Sequence, residues 1–523
     1  MVTLKRKVAN AARFLRNLTG PSAAVPRIVR MIRAYEPRLA EWKNLLPSEA
    51  TGRRVAVLIS PWLESAVPLF SLECALAMAR DGMDVVIFWD DGRIFQGEAK
   101  GAEREALETL LEKASAVLPV CCVCDISPAL GHDWIALAEK ILQDNAIARA
   151  RGEDAATAFL EGSPDLPENA RNHLARVQEA LEEFRPAWVF VPGGVYGTSA
   201  MYREVAGKLG IPCGTYDADE GMLLMTTDGV ATHHADIPKA AALLESWVDG
   251  HDGAREYIGK MTALEIESRM AASDSWGFQL SVASGQACLP CDVLVPLNLR
   301  WDTAALSRQR VFPTVRAFIE SIIQWARKHP DLHVCFRQHP CERFVFAKSS
   351  DDVSGWIRSV ADQATNIHFI AADAEISTYD LLRTTRILLP HTSTIALEAA
   401  MLGIPTVLGT HCYYEAFGFA WSTEDEAGFH SLIEAALDSQ LNISPKAAWE
   451  ARLLYFLTQV CAPLRSPLTP APKDFSIWVS EPPAVLWERE ESRDLRRAFA
   501  EGLPVSYLRA LRLCHRAAEG VPT

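Results

Sequence analysis

The 523-residue chain has no run of about 18 uncharged apolar residues, so nothing in it reads as a bilayer-spanning helix. Its first residues also lack an apolar core before a small-residue cleavage site, and cytoplasmic residence is the expectation that follows. Cysteine is scarce: twelve residues, several inside apolar runs, do not make a disulfide framework. Two pairs have CxxC spacing, Cys121 with Cys124 and Cys288 with Cys291. Both fall in strand-like runs, SAVLPVCCVCDI and ACLPCDVLVPL, where alternate side chains point to opposite faces. Four thiolates around an ion would need a turn that this pattern does not supply, so no metal site is expected. His233 and His234 have no Cys or acidic cluster at fixed spacing beside them and read as loop histidines. The loop after PAWVFVP, with Gly193, Gly194 and Gly197, reads GGVYG rather than GxGxxG, which disfavours a dinucleotide cofactor. No repeat of 20 to 50 residues and no low-complexity tract is present. An overall basic excess is missing too: the net charge is −14, which argues against nucleic acid as a partner.

What is present is core material. An apolar fraction of 49% with 23% charged residues describes a globular chain, and the length implies roughly two to four domains. Charge is uneven. Residues 1–43 hold ten Lys or Arg against Glu36 and Glu41, a net of +8, which leaves −22 to the remaining residues. Leu4, Val8, Ala11, Leu15 and Leu18 recur at helical spacing between basic residues, the pattern of an amphipathic helix able to lie on anionic lipid or to pack on its own domain.

From residue 53 onward strands and helices alternate. RRVAVLISPWL, PLFSLECALAMARDG and MDVVIFWDD form a strand, a helix and a parallel strand, and a long charged helical stretch follows over 134–184. The pattern resumes with PAWVFVPGG, TSAMYREVAGKLG and IPCGTYD. A second series starts at CDVLVPLNLRW and runs through PTVRAFIESIIQWARKHP, LHVCFRQHP, NIHFIAA, TYDLLRTT, RILLP and the helix and strand of ALEAAMLGIPTVLG. This alternation predicts two doubly wound parallel sheets. Residues 465–485 break it, and ESRDLRRAFAEGLPVSYLRALRLCHRAAEG reads as terminal helix packed on the outside. The predicted organisation is a basic segment over 1–50, domains over 51–280 and 281–460, and a linker with helices over 461–523.

Ligands of doubly wound sheets collect at the carboxyl ends of the strands, so three strand ends matter. RILLP delivers His391, Thr392, Ser393 and Thr394 to such an end, where hydroxyls and unpaired amides at a helix mouth suit a phosphate; Glu398 lies one turn further in, within reach of a ribose. Gly403 and Pro405 stop that helix. CFRQHPCER ends a strand at Arg337 and holds His339 against Pro340, beside Arg343, a set suited to gripping phosphate. In the first series, TYDADEGMLL places Asp217, Asp219 and Glu220 before Gly221, where clustered carboxylates raise one another's pKa and leave one able to take a proton. Asn298 and Arg300, after the first strand of the second series, are further candidate contacts.

The set Asp219-Glu220-Gly221, His339-Pro340 and Ser393-Thr394, in that order over two α/β domains, resembles bacterial GT-B glycosyltransferases that use CMP-sugars: sialyltransferases, polysialyltransferases and Kdo transferases of capsule and lipopolysaccharide synthesis. The resemblance implies two Rossmann-like domains facing a cleft, 51–280 holding the acceptor and 281–460 the nucleotide-sugar donor, with Glu220 or Asp219 as catalytic base, His339 on the donor phosphate or assisting nucleotide departure, and Ser393 with Thr394 binding that phosphate. It implies a CMP-sugar donor such as sialic acid or Kdo and a glycan or other hydroxyl acceptor; with basic side chains and helix dipoles neutralising the leaving nucleotide, no separate cofactor and no metal is expected. Many relatives carry adjacent serines where this chain has His391-Thr392 before Ser393-Thr394, which leaves open which hydroxyl meets phosphate. ALEAAMLGIP is shared with enzymes using UDP- and GDP-sugars, so those donors, an epimerase or hydrolase of the same fold, and a non-catalytic assembly scaffold stand as alternatives. The expected location is cytoplasmic, with contact to the inner face of the membrane through residues 1–43 as the alternative to packing of that segment on its own domain.

Overall fold

The computed structural model describes residues 21–50, 52–62, 65–95, 101–128, 133–219, 221–273, 289–471 and 474–518. The chain divides into two compact units. The first comprises Met1–Asn145, Gly162–Asp236 and Ala462–Arg509, and the second Ala146–Glu161, Ile237–Cys461 and Ala510–Thr523. By contact the main division thus falls after Asp236 rather than after residue 280. The helices Ile237–Val248 and Ala254–Met270 pack on Pro445–Tyr455 and the following π-helical turn, which draws them into the second unit.

The first unit is built on strands β1 (Arg54–Ile59), β2 (Asp84–Trp89), β3 (Val120–Cys122), β4 (Trp188–Pro192), β5 (Cys213–Asp219) and β6 (Met222–Met225). Apolar runs such as VAVLI are buried on both faces, as a parallel sheet covered by helices requires. β1 pairs in parallel with β2 and with β4, Val55 lying opposite both Val85 and Trp188. A late strand, β13 (Leu464–Arg465), joins antiparallel to β6, giving the order β13-β6-β5-β4-β1-β2-β3. The chain winds one way from β1 through β2 to β3 and the other way from β4 to β5, so the topological switch point lies between β1 and β4.

The helix Pro21–Lys43 packs on this unit through Ile28, Met31, Ile32, Tyr35, Leu39 and Trp42, spaced at three and four residues. Its anchor is Glu73, fully buried on the helix Val67–Arg80. The carboxylate accepts from Tyr35 Oη, from Arg38 Nη2 at 2.7 Å and from Trp42 Nε1 at 3.0 Å. Arg38 Nη1 donates onward to the carbonyls of Trp478 and Glu481. Part of the basic segment is therefore interior structure. The amphipathic pattern over residues 4–18 lies outside the described residues, and no described helix is long and apolar enough to cross a membrane.

Among the described residues the second unit has six strands, all parallel: β7 (Val293–Pro296), β8 (Val334–Arg337), β9 (Ile367–Ile370), β10 (Ile387–Leu388), β11 (Thr406–Leu408) and β12 (Ala420–Ser422), in the order β12-β11-β10-β7-β8-β9. Its switch point lies between β7 and β10. The helix Val315–Lys328 starts where Thr314 accepts from Ala317 N at 3.0 Å, and it buries Phe318, Ile319, Ile322 and Trp325 against the sheet.

Three local expectations change. The stretch 134–184 is three helices, Ile135–Ala150, Glu153–Glu161 and Leu166–Phe184, interrupted at Arg151 with φ of 58° and again around Ser163 and Pro164. The final helix is two, Glu490–Glu501 and Val505–Ala518, because Gly502 at φ 65° closes the first and Pro504 follows. The strand-like run through Cys121 and Cys124 ends at Cys122 and turns at Val123–Asp125.

Candidate functional site

In the second unit, β10, β7 and β8 are neighbours, so the segments leaving their carboxyl ends share one rim. Asn298 leaves β7 and Thr392 leaves β10, one on each side of the switch point. Asn298 Nδ2 donates to Thr392 Oγ1 at 2.9 Å and Thr392 N donates to Asn298 Oδ1 at 3.3 Å, which latches the two segments. Next along, β8 ends at Arg337 and delivers His339. A pocket of about 310 Å³, counted out to solvent, is lined by Asn298, Arg300, Gln338, His339, Glu342 and Ser354, among others.

His339 is held before the short turn that Pro340 begins, and its Nδ1 accepts from Cys341 N at 3.2 Å. In the neutral ring the proton is thus on Nε2, which makes that atom a donor. Burial, with Arg337 alongside, lowers the imidazole pKa to about 4, so His339 is uncharged near neutrality. The positive charge belongs to Arg337. Only 3% exposed, it donates through Nη1 to the Ala371 carbonyl, and its Nε has no partner among the described residues. Burial, then repulsion from Arg343, lowers its pKa to about 10, with Asp373 pulling the other way. A buried guanidinium with an unused donor is a ready partner for an anion.

The other predicted residues take different positions. Arg300 lines the pocket but is paired, Nη1 with Asp351 Oδ2 at 2.9 Å and Nη2 with the Asp351 carbonyl at 3.1 Å. Its role is to hold the rim. His391 is buried against Phe318, its carbonyl accepting from Thr410 Oγ1 and its Nδ1 unpartnered among the described residues. Burial and Arg308 lower its pKa to about 4. Ser393 and Thr394 are partly exposed and precede a helix of seven residues, Ile395–Met401. Ser393 Oγ accepts weakly from Ile395 N at 3.5 Å, and Thr394 makes no side-chain cap. Glu398 is 4% exposed, with Arg269 Nη1 at 3.9 Å and the Tyr379 hydroxyl bonded to it; burial and that carboxylate hold the Tyr379 phenol above its ordinary range.

On the first unit, β5 ends at Asp219 and turns back into β6, with Asp219 opposite Met222. Gly221 makes that turn at φ 82°, and a Cβ there would lie 3.2 Å from Ala471 N. Asp217 is exposed at the same end, and Glu220 lies outside the described residues.

One buried group escaped the sequence reading. Asp90, just past β2, accepts from His173 Nε2 at 2.6 Å, Tyr202 Oη at 3.1 Å and Gly92 N at 3.0 Å. Burial opposes its ionisation, but His173 outweighs that and keeps the carboxyl below its usual range; Asp90 in turn raises the His173 pKa against the effect of burial. The strand-ending Asp90-Asp91 pair was visible in FWDDG, whereas His173 sits mid-helix among charged residues and gave no signal. Cys124 brings its sulfur to the same place, the three ligand atoms of Asp90, Asp91 and Cys124 lying within 4.8 Å of one another. Cys288 of the second CxxC pair lies outside the described residues, and Cys291 is buried.

The fold and its rims define the class: an α/β protein of two doubly wound, Rossmann-like units, each with a crevice at the carboxyl ends of its strands. No protein-family model matches the chain, and no curated protein does. Solved structures similar to it include UDP-GlcNAc 2-epimerase from Neisseria meningitidis bound to UDP-GlcNAc, 13% identical over 78% of this chain and 99% of that one with a TM-score of 0.25. The β-Kdo 2,7 transferase KpsC of Thermosulfurimonas dismutans is 12% identical over 56% and 82% with a TM-score of 0.31. WaaG, a glycosyltransferase involved in lipopolysaccharide biosynthesis, is 12% identical over 82% and 100% with a TM-score of 0.25.

Proposed function

We propose that the chain is a GT-B glycosyltransferase whose second unit binds a nucleotide-sugar. The observation that carries the reading is the shared rim: Asn298, His339 and Thr392-Ser393-Thr394 leave three adjacent parallel strands beside the buried cation of Arg337. In this reading Nε2–H of neutral His339 donates to a phosphate oxygen, Arg337 balances the charge left on the departing nucleotide, and the hydroxyls of Ser393 and Thr394 complete the phosphate shell. Glu398, braced by Arg269 and Tyr379, meets the ribose. The carboxylates at the end of β5, Asp219 or Glu220, take the proton from the acceptor hydroxyl as the anomeric bond breaks. The motif order favours a CMP-sugar, and a glycan or related hydroxyl compound as acceptor.

Calorimetric titration with CMP, UDP and GDP, on the parent chain and on His339→Ala, tests the donor half. Binding of CMP that the substitution weakens supports the reading, and preference for UDP or GDP changes the donor. Absence of binding by all three rejects it. Transfer assays on Asp219→Ala and Glu220→Ala test the base, and full activity in both would remove that assignment.

A further inference from the structure

The donor reading leaves the acceptor without a site, and the first unit has a crevice of its own. Its switch point lies between β1 and β4. Beyond β1 the chain reaches Trp62, and beyond β4 it runs through Gly193 and Gly194 to Tyr196. The two rings lie nearly parallel, centroids 6.4 Å apart at 23°, and both residues are partly exposed. Glycine makes this arrangement possible: Gly193 has φ of 65°, and a Cβ there would fall 2.7 Å from the Trp62 ring. The indole therefore rests directly on the loop backbone. Behind the loop, Asn145 is 2% exposed, with Oδ1 3.9 Å from the Cβ position of Gly197, and its Nδ2 has no hydrogen-bond partner among the described residues. The twelve-residue helix Gly197–Lys208 begins at the same point without a side-chain cap.

The charge around this platform selects the ligand. Asp217 is exposed at the end of β5, one strand from β4, and Asp90 and Asp91 stand at the end of β2. The nearby cations are engaged: Arg203 Nε donates to the Gly194 carbonyl at 2.6 Å and its Nη2 pairs with Glu204, while Arg93 pairs with Asp91 at 2.6 Å. Asp90 and Asp91 are themselves paired, with His173 and Arg93, so the rim carries little net charge around the exposed Asp217 and, with these cations engaged, gives a phosphate little to hold it. It suits a neutral, polyhydroxylated ring, whose C–H face stacks on aromatic carbon and whose hydroxyls donate to carboxylates. Two strand spacings separate β1 from β5, about 10 Å, enough to lay one pyranose between Trp62 and Asp217.

We propose that Trp62, Tyr196 and the Gly193–Gly197 loop form a carbohydrate-binding site that receives the acceptor: a neutral pyranose stacked on the two rings, with a hydroxyl turned toward Asp217 on β5. The name acceptor rests on the transferase reading; the sugar contact does not.

Saturation-transfer NMR on the full chain with methyl β-glucoside, methyl β-galactoside and methyl N-acetyl-β-glucosaminide tests the site. Transfer to the ring C–H protons of at least one probe is expected. It should weaken roughly three- to tenfold in Trp62→Ala and in Tyr196→Ala, and be restored in Trp62→Phe. Nucleotide affinity at the second unit, measured on the same samples, should stay within twofold, and an unchanged near-UV circular dichroism spectrum shows that each variant is folded. No transfer to any probe, transfer undiminished in both alanine variants, or displacement of the probes by CMP alone would overturn the proposal. Sugar contact that persists in a chain binding no nucleotide would instead overturn the transferase reading and leave this site standing.

Discussion

His339 and His391 are bases held neutral by burial, and that has a sign. Each has its pKa lowered from the ordinary 6.5 to about 4 in the folded chain. The unfolded chain therefore binds protons more readily between those values, so stability is full above about pH 6.5 and declines as pH falls toward 4. Thermal midpoints measured across that window should drop with acidification, and His339→Gln should flatten part of the decline. A phosphate beside the ring stabilises the imidazolium, so NMR titration should show the His339 pKa rising when nucleotide binds. Asn298 gives a second test at this scale. Asn298→Ala removes both bonds of the latch to Thr392, and calorimetry should report nucleotide binding weakened about tenfold with the fold intact. The strand-end residues were legible because an apolar run followed by His-Pro or by a row of hydroxyls is a local signal. The engagement of Arg300 by Asp351 was not, since its partner is 51 residues away. Nor was the neutrality of His339, which depends on burial that no local pattern encodes.

Among the elements, the helix Pro21–Lys43 illustrates how a basic, amphipathic sequence becomes interior structure. Arg38 and Glu73 are both essentially inaccessible to solvent, so neither charge tolerates the loss of the other. Glu73→Leu should destabilise the chain by about 3–5 kcal/mol in denaturant unfolding, because it strands a buried guanidinium; adding Arg38→Met should recover part of the loss. The strands themselves were readable wherever the buried run was long, as in VAVLI or WVFVP. The two-residue β13 was not, because pairing with β6 across some 240 residues leaves no periodicity to read. The same limit hid the Trp62–Tyr196 platform. Both residues were visible after strands, but their adjacency follows from β1 and β4 being neighbours, a fact of winding order rather than of either segment.

At the scale of the whole molecule, the two units are interleaved in the chain, and the last part of the first unit comes from Ala462–Arg509. Those residues bring β13 and the buried Trp478 and Trp487, and the Trp478 carbonyl accepts from Arg38. A chain truncated after residue 461 should therefore lose the cooperative unfolding of its first unit and become sensitive to limited proteolysis around residues 21–43, although the deletion removes none of β1 to β5. An intact first unit in that truncation would show that the late segment only decorates it.

The Glu73 anchor also sets an order on synthesis. A ribosome releases Arg38 and Glu73 early, yet two of the carbonyls that satisfy Arg38 belong to residues made more than 400 positions later. Until those emerge, the nascent chain carries an incompletely satisfied cation and an uncovered edge at β6, so the first unit waits, unfinished and in need of protection from aggregation, until the end of the chain is being made.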